Sequence, residues 1–197
     1  MQANLKLIKG GWDLGYALDK HMIKSTFTGE DEHGKPQFDN DRTEIGEAVY
    51  QLKYNNKDFG QVPGLAQAIF EHTKGKFPDI GLVIPMPAST QRARQPVHAV
   101  AEDLAKLLGV QSFDKMLSKT SNGKKLKDMN DRAEKDAALI GTIKLNRYIA
   151  GEGKWNALLI DDLFDTGASL DAACTVLREY EKIGKIYVAT LTWKKPK

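Results

Sequence analysis

Cys174 is the single cysteine in 197 residues. It excludes an intramolecular disulfide and any cysteine-clustered zinc site. Long apolar runs are missing too, since none approaches the ~18 residues that would span a bilayer. The opening Met1-Gln2-Ala3-Asn4-Leu5-Lys6 has neither the apolar stretch nor the small-residue cleavage site of a signal peptide. The expectation is a cytoplasmic protein with no membrane partner. Charge of one sign is also scarce. A net charge of +3, from 29 basic and 26 acidic residues, gives only weak support to a nucleic-acid partner. His21, His33, His72 and His98 are not spaced as metal ligands. What is present suits a globular chain, with 41% hydrophobic and 28% charged residues. A chain of this length buries roughly 70% of its unfolded surface, so its core needs no metal or disulfide.

Hydrophobic periodicity then divides the chain. Residues 1–42 read as irregular β structure, with Gly10-Gly11, Gly29 and Gly34-Lys35-Pro36 punctuating stretches such as Trp12–Leu18 and Met22–Phe27. Thr43 is an N-cap candidate for a helix that places Ile45, Ala48, Val49 and Leu52 on one face. A second helix is expected from Pro63, with Leu65, Ala68 and Ile69 inward. Ile80–Ile84 is a short continuous apolar run ended by Pro85, as a strand buried on both faces should be. Pro96 opens a helix carrying Val97, Val100, Ala101, Leu104, Leu107 and Leu108, closed by Gly109. Leu139–Leu145, Ala157–Ile160 and Ile186–Leu191 read as further strands. Between the last two, Leu170, Ala173, Val176, Leu177 and Tyr180 mark a helix face. Strands alternating with helices imply an α/β domain with a parallel sheet and ligands at the carboxyl ends of its strands.

One stretch concentrates the chemistry. Leu158-Leu159-Ile160 leads straight into Asp161-Asp162-Leu163-Phe164-Asp165-Thr166-Gly167-Ala168-Ser169. Ionised Asp161 and Asp162 are pure acceptors, suited to the vicinal hydroxyls of a sugar or to hydrated Mg²⁺. Successive backbone N–H groups before a helix make an anion nest, and Gly167 lets a phosphate approach the backbone closely. Thr166 and Ser169 can add hydroxyl donors. Acceptors for hydroxyls beside donors for phosphate describe a sugar-phosphate site.

This stretch resembles the phosphoribosyl pyrophosphate (PRPP) motif of type I phosphoribosyltransferases. The resemblance implies an enzyme with a parallel sheet flanked by helices and a small N-terminal β-containing hood. Residues 1–42 would form the hood and 43–197 the core. It further implies that Asp161 and Asp162 hold the ribose hydroxyls and the metal, with Mg²⁺ as cofactor. Asp165, Thr166, Gly167, Ala168 and Ser169 would wrap the 5′-phosphate, with Asp165 as the catalytic acid/base. Pro85-Met86-Pro87-Ala88-Ser89-Thr90-Gln91-Arg92-Ala93-Arg94 is similar to the pyrophosphate loop, with Ser89, Arg92 and Arg94 as its ligands. The segment 115–127, with five lysines and no acid, stands where the family has a loop that closes over PRPP. Lys119, Lys124, Lys125 and Arg132 are its candidate contacts. Leu163, Phe164 and Trp193 are the candidates to touch a base.

The order of Leu52-Lys53-Tyr54, Pro85-Met86-Pro87, Arg92, Arg94, Arg132 and the acidic pair resembles the ComF-type subgroup without its cysteine-rich zinc module. The activity implied is transfer of a phosphoribosyl group from Mg-PRPP to a nitrogen nucleophile of a small molecule. The alternative is a ComF-like PRPP-binding regulator or DNA-uptake accessory that binds without turnover. The family also implies a homodimer.

Other readings stay beside these. Gly29-Glu30-Asp31-Glu32-His33-Gly34-Lys35 has the spacing of a nucleotide phosphate loop. Pro36 replaces its hydroxyl residue, and three acids would repel a triphosphate. Arg132 can instead pair with Asp128 or Glu134. Cys174 is read as a small core residue. Trp12 and Trp155 are read as packing residues.

Overall fold

The computed structural model describes residues 1–55, 58–88, 90, 92–120 and 141–194. The strands are β1 (Lys6–Leu7), β2 (Leu14–Lys20), β3 (Lys24–Glu30), β4 (Pro36–Asp41), β5 (Ile80–Pro85), β6 (Gln111–Ser112), β7 (Leu117–Lys119), β8 (Ile143–Leu145), β9 (Trp155–Phe164) and β10 (Ile183–Trp193). The described helices are α1 (Glu44–Lys53), α2 (Gln61–Thr73), α3 (Pro96–Leu108) and α4 (Ala168–Arg178). Six strands form one mixed sheet in the order β1-β2-β10-β9-β5-β6. Only β1 runs antiparallel to its neighbour; the other pairings are parallel.

The sheet is covered on both faces, which explains its near-continuous apolar strands. Alternate residues of β9 point to opposite sides. Leu158 and Ile160 join α1, α2 and α3 in one core, while Ala157 and Leu159 join α4 in the other. Local chemistry sets the helix ends as expected. Thr43 accepts the Gly46 N–H at 3.0 Å, and the four forecast apolar residues of α1 are buried. Helix α2 starts two residues ahead of Pro63, which is tolerated in a first turn because N–H groups there have no intrahelical partner. Pro96 begins α3, and Gly109 ends it with a φ of +69°. Cys174 is buried in the core.

Three features differ from the sequence reading. First, β2 runs beside β10 inside the main sheet, so the chain does not divide structurally at residue 42. Only the β3–β4 hairpin forms a separate two-stranded ribbon. The parallel β2–β10 pairing joins residues more than 160 positions apart, and no local pattern encodes that. Second, the described part of the Leu139–Leu145 stretch, β8, pairs with β7 in its own ribbon; residues 139–140 lie outside the described set. Third, β9 does not stop at Ile160. Its ladder to β10 continues through Thr190–Asp161, Thr192–Leu163 and Trp193–Phe164. The phosphate-loop-like segment 29–35 falls in the β3–β4 turn region with no helix after it, as its rejection requires.

Candidate functional site

The unequal lengths of neighbouring strands create the site. Strand β5 ends at Pro85, opposite Ile160, and Met86 N–H donates to the Ile160 carbonyl at 2.8 Å. Beyond that bond the chain leaves the sheet on the β5 side, while β9 runs on for four residues. Connections from β5 and β9 also depart in opposite directions, β5 through α3 to β6 and β9 through α4 to β10. Such a switch point opens a crevice at the carboxyl ends of the strands. Here it is a cleft of about 370 Å³ whose lining includes Lys53, Arg92, Lys119, Asp161, Asp162 and Ser169.

Asp161 and Asp162 are adjacent in an extended strand, so their side chains leave on opposite faces. Asp162 N–H nevertheless donates to Asp161 Oδ1 at 2.8 Å. Lys53, in the last turn of α1, donates its ammonium to Asp162 Oδ2. Burial pushes the Asp161 carboxyl well above the usual range, and the Asp162 charge adds to that effect. Burial would lift Asp162 as well, but the Lys53 ammonium holds it below its ordinary value. Lys53 in turn overcomes its own burial through Asp162 and is raised. On the other side Lys119 is lowered by burial, with the Asp161 charge opposing. The pair is thus asymmetric: Asp162 is a fixed anion, and Asp161 is poised to take a proton, a hydroxyl or a cation.

The loop after β9 is shaped by one glycine. Gly167 has a φ of +85°, and a Cβ there would lie 3.0 Å from the Phe164 ring and 3.5 Å from Trp12. Any other residue meets both a backbone penalty and a crowded ring. Trp12 supports the turn from below, with its ring edge-on to Phe164 at 6.3 Å and its Nε1–H donating to the Ile8 carbonyl at 3.1 Å. The N-cap of α4 is Gly167, which has no side chain to cap it; the Ala168 N–H donates to Thr166 Oγ1 at 3.4 Å. The turn therefore offers backbone donors at a helix N-terminus. Asp165 is exposed at its start.

The forecast residues separate into groups. Asp161, Asp162, Ser169, Arg92 and Lys119 share the cleft. Thr166, Gly167 and Ala168 form the turn into α4. Arg94 lies away from the cleft, with its guanidinium 4.3 Å from the Phe59 ring centroid. Phe164 is engaged with Trp12, and Leu163 pairs with Thr192 in the sheet. One face of Trp193 holds the Lys6 ammonium, 3.6 Å from the ring centroid. Ser89, Lys124, Lys125 and Arg132 lie outside the described residues.

Two further groups stand at the cleft. Lys53 entered only as part of the Leu-Lys-Tyr resemblance, and nothing local marks the end of α1 as a partner for a residue 109 positions later. His98 lines the cleft, its Nε2 is buried without a partner, and burial lowers its pKa.

Among the described residues no cluster of three or more His, Cys, Asp or Glu could cage a metal. Two carboxylates without a cage still fit Mg²⁺, which commonly takes one or two carboxylates and completes its shell with water and substrate phosphates. No described helix is long and apolar enough to cross a membrane.

No family model and no curated protein matches the chain. Several solved structures are similar to it. An adenine phosphoribosyltransferase from Leishmania tarentolae shares 11% identity, over 95% of this chain and 82% of that one, with a TM-score of 0.47. The enzyme of that name from Thermoanaerobacter pseudethanolicus shares 13%, over 87% and 95%, at 0.45. A hypoxanthine phosphoribosyltransferase from Staphylococcus aureus shares 15%, over 66% and 61%, at 0.39. These neighbours are type I phosphoribosyltransferases. All three are named for a purine base, and the ComF-type motif order has no counterpart in those names.

Proposed function

We propose that the cleft binds Mg-PRPP and transfers its phosphoribosyl group to a nitrogen nucleophile, releasing pyrophosphate. The observation that carries this reading is the acidic pair on the overhanging end of β9, just ahead of a helix whose N-cap is a left-handed glycine. The two halves of that arrangement match the two ends of a sugar phosphate. Asp162, held ionised by Lys53, accepts a ribose hydroxyl, and Asp161 can accept or donate to the next. The backbone N–H groups after Gly167 and the Ser169 hydroxyl meet the 5′-phosphate. Arg92 and Lys119 approach the same cleft from the β5 loop and from β7, where they neutralise pyrophosphate oxygens. Asp161 and Asp162 would hold magnesium, which when bound supplies further charge neutralisation to the leaving pyrophosphate.

Bond cleavage at C1 develops an oxocarbenium-like ribose beside a departing anion, so rate enhancement comes from position and electrostatics. Asp165, exposed at the start of the turn that follows β9, would relay the proton of the incoming nucleophile.

Calorimetric titration of PRPP, with and without Mg²⁺, tests the reading against an Asp161→Asn/Asp162→Asn variant. Mg²⁺-dependent binding by the native protein and its loss in the folded variant are expected. A folded native protein that ignores PRPP overturns the reading. Pyrophosphate release with candidate acceptors then separates transfer from binding without turnover.

A further inference from the structure

His21 follows β2 at its carboxyl end, and its backbone is clamped. Its N–H donates to the Trp193 carbonyl at 2.9 Å. Its own carbonyl packs against Gly46, where a Cβ would come within 2.3 Å. The first turn of α1 can therefore lie against His21 only with glycine at that position. The preceding Lys20 carbonyl accepts a 2.6 Å bond from the Thr43 hydroxyl, the cap of the same helix.

The ring is fixed by a count of protons. Thr192 is fully buried, and its Oγ1 donates to the Asp162 carbonyl at 2.8 Å. A hydroxyl has one proton, so toward any second neighbour Oγ1 can only accept. His21 Nδ1, 3.2 Å away, is therefore the donor. A neutral imidazole protonated on Nδ1 carries its lone pair on Nε2. No described residue hydrogen-bonds that nitrogen.

We propose that His21 Nε2 receives an N–H of the nitrogen acceptor, which makes the acceptor a neutral heterocycle presenting an amine or N–H edge and not a carboxylate. This inference rests on the phosphoribosyl-transfer reading above. Ligands of open parallel sheets lie outside the carboxyl ends of the strands, where His21 stands. Two consecutive hydrogen bonds, through Thr192, tie its ring to the backbone of the acidic pair. With strands ~4.8 Å apart, β2 lies about 10 Å from β9, a span that a base seated on the ribose can bridge. A carboxylate facing Nε2 would set lone pair against lone pair. Of the cations around the ring, Lys53 is paired with Asp162 and Arg42 with Glu47 at 3.2 Å, so two of them already have their anions. Lys194 is the third, and Asp162 is the acid on this side.

The test compares the native protein with His21→Asn, whose side-chain amide N–H replaces Nδ1–H toward Thr192 and leaves nothing at Nε2. Thermal unfolding confirms the fold, and calorimetry gives PRPP affinity. Pyrophosphate release is followed with adenine, guanine and cytosine, which present amines, and with orotate and quinolinate, which present carboxylates. The native protein is expected to consume an amine-bearing base. His21→Asn should bind PRPP within twofold of native while the KM for that base rises about tenfold and kcat changes little, the effect of one lost hydrogen bond. His21→Gln, which sets an amide oxygen near the place of Nε2, should recover the KM. PRPP binding combined with a preference for carboxylate bases, with no consumption of any base, or with an unmoved KM in His21→Asn overturns the inference alone. A native protein that does not bind PRPP overturns the underlying reading, and this inference falls with it.

Discussion

Replacing Lys53 with Met probes the electrostatic design of the cleft. The side chains of Lys53 and Asp162 are 21% and 15% exposed. Removing one partner of a fully buried pair costs roughly 3 to 5 kcal/mol, while a fully exposed pair contributes about 0 to 1 kcal/mol. This pair lies between those limits, so Lys53→Met should destabilise the fold by about 2 kcal/mol. For a chain of this size each kcal/mol moves Tm by roughly 2 to 4 °C, so thermal unfolding at pH 7.5 should show a fall of about 4 to 8 °C. The pH dependence is the sharper readout. Against the opposing effect of burial, Lys53 holds Asp162 below its ordinary pKa in the fold. That stabilisation is present above the unfolded carboxylate value and is lost as pH falls through the lowered folded one. The Tm gap between native and variant should therefore shrink as pH drops below ~4, where Asp162 protonates in both. Asp161 acts with the opposite sign. Its raised pKa makes its charge a penalty near neutrality, relieved on acidification in both proteins. An equal Tm at pH 7.5, or a gap that stays constant as pH falls well below ~4, would refute the assigned coupling. An Asp162→Asn cycle run alongside isolates the pairwise energy.

Gly167→Ala should cost about 1 to 2 kcal/mol from the left-handed backbone alone and weaken PRPP binding by shifting the turn; unchanged Tm and affinity would remove the glycine from the argument. Asp165→Asn should lower turnover far more than PRPP affinity, measured by pyrophosphate release and calorimetry, and unaltered turnover would remove Asp165 from the chemistry. Cys174, buried against α4's neighbours with its thiol pushed up to about 12 by burial, should resist a disulfide reagent until the protein unfolds. Prompt modification of the native protein would contradict that placement.

Much of the fold was legible because its signals are local. A strand buried on both faces is an apolar run, and β5 and the first half of β9 are such runs. Helix starts are written in capping chemistry, as Thr43 and Pro96 illustrate. The motif from Asp161 to Ser169 was legible for the same reason: acids, glycine and hydroxyls are contiguous in the chain and remain contiguous at the strand end. The β2 strand was harder, because Gly10-Gly11 and the short Trp12–Leu18 stretch read as irregular β structure. Its partner lies at the far end of the chain.

By itself the sequence determined the alternation of strand and helix, the chemistry of the β9–α4 turn, and the absence of any disulfide framework. Tertiary structure decided which groups face that chemistry. Lys53 reaches Asp162 because α1 packs across the sheet. Arg92 shares the cleft while Arg94 lies on Phe59, though the two are separated by one residue. His21 acquires a defined tautomer only because Thr192, from another strand, has already given its proton to Asp162. The physical reason is common to all three. A side chain's type is carried by its codon, but its charge state, proton position and partner depend on neighbours brought from distant parts of the chain, and only the closed sheet sets those distances.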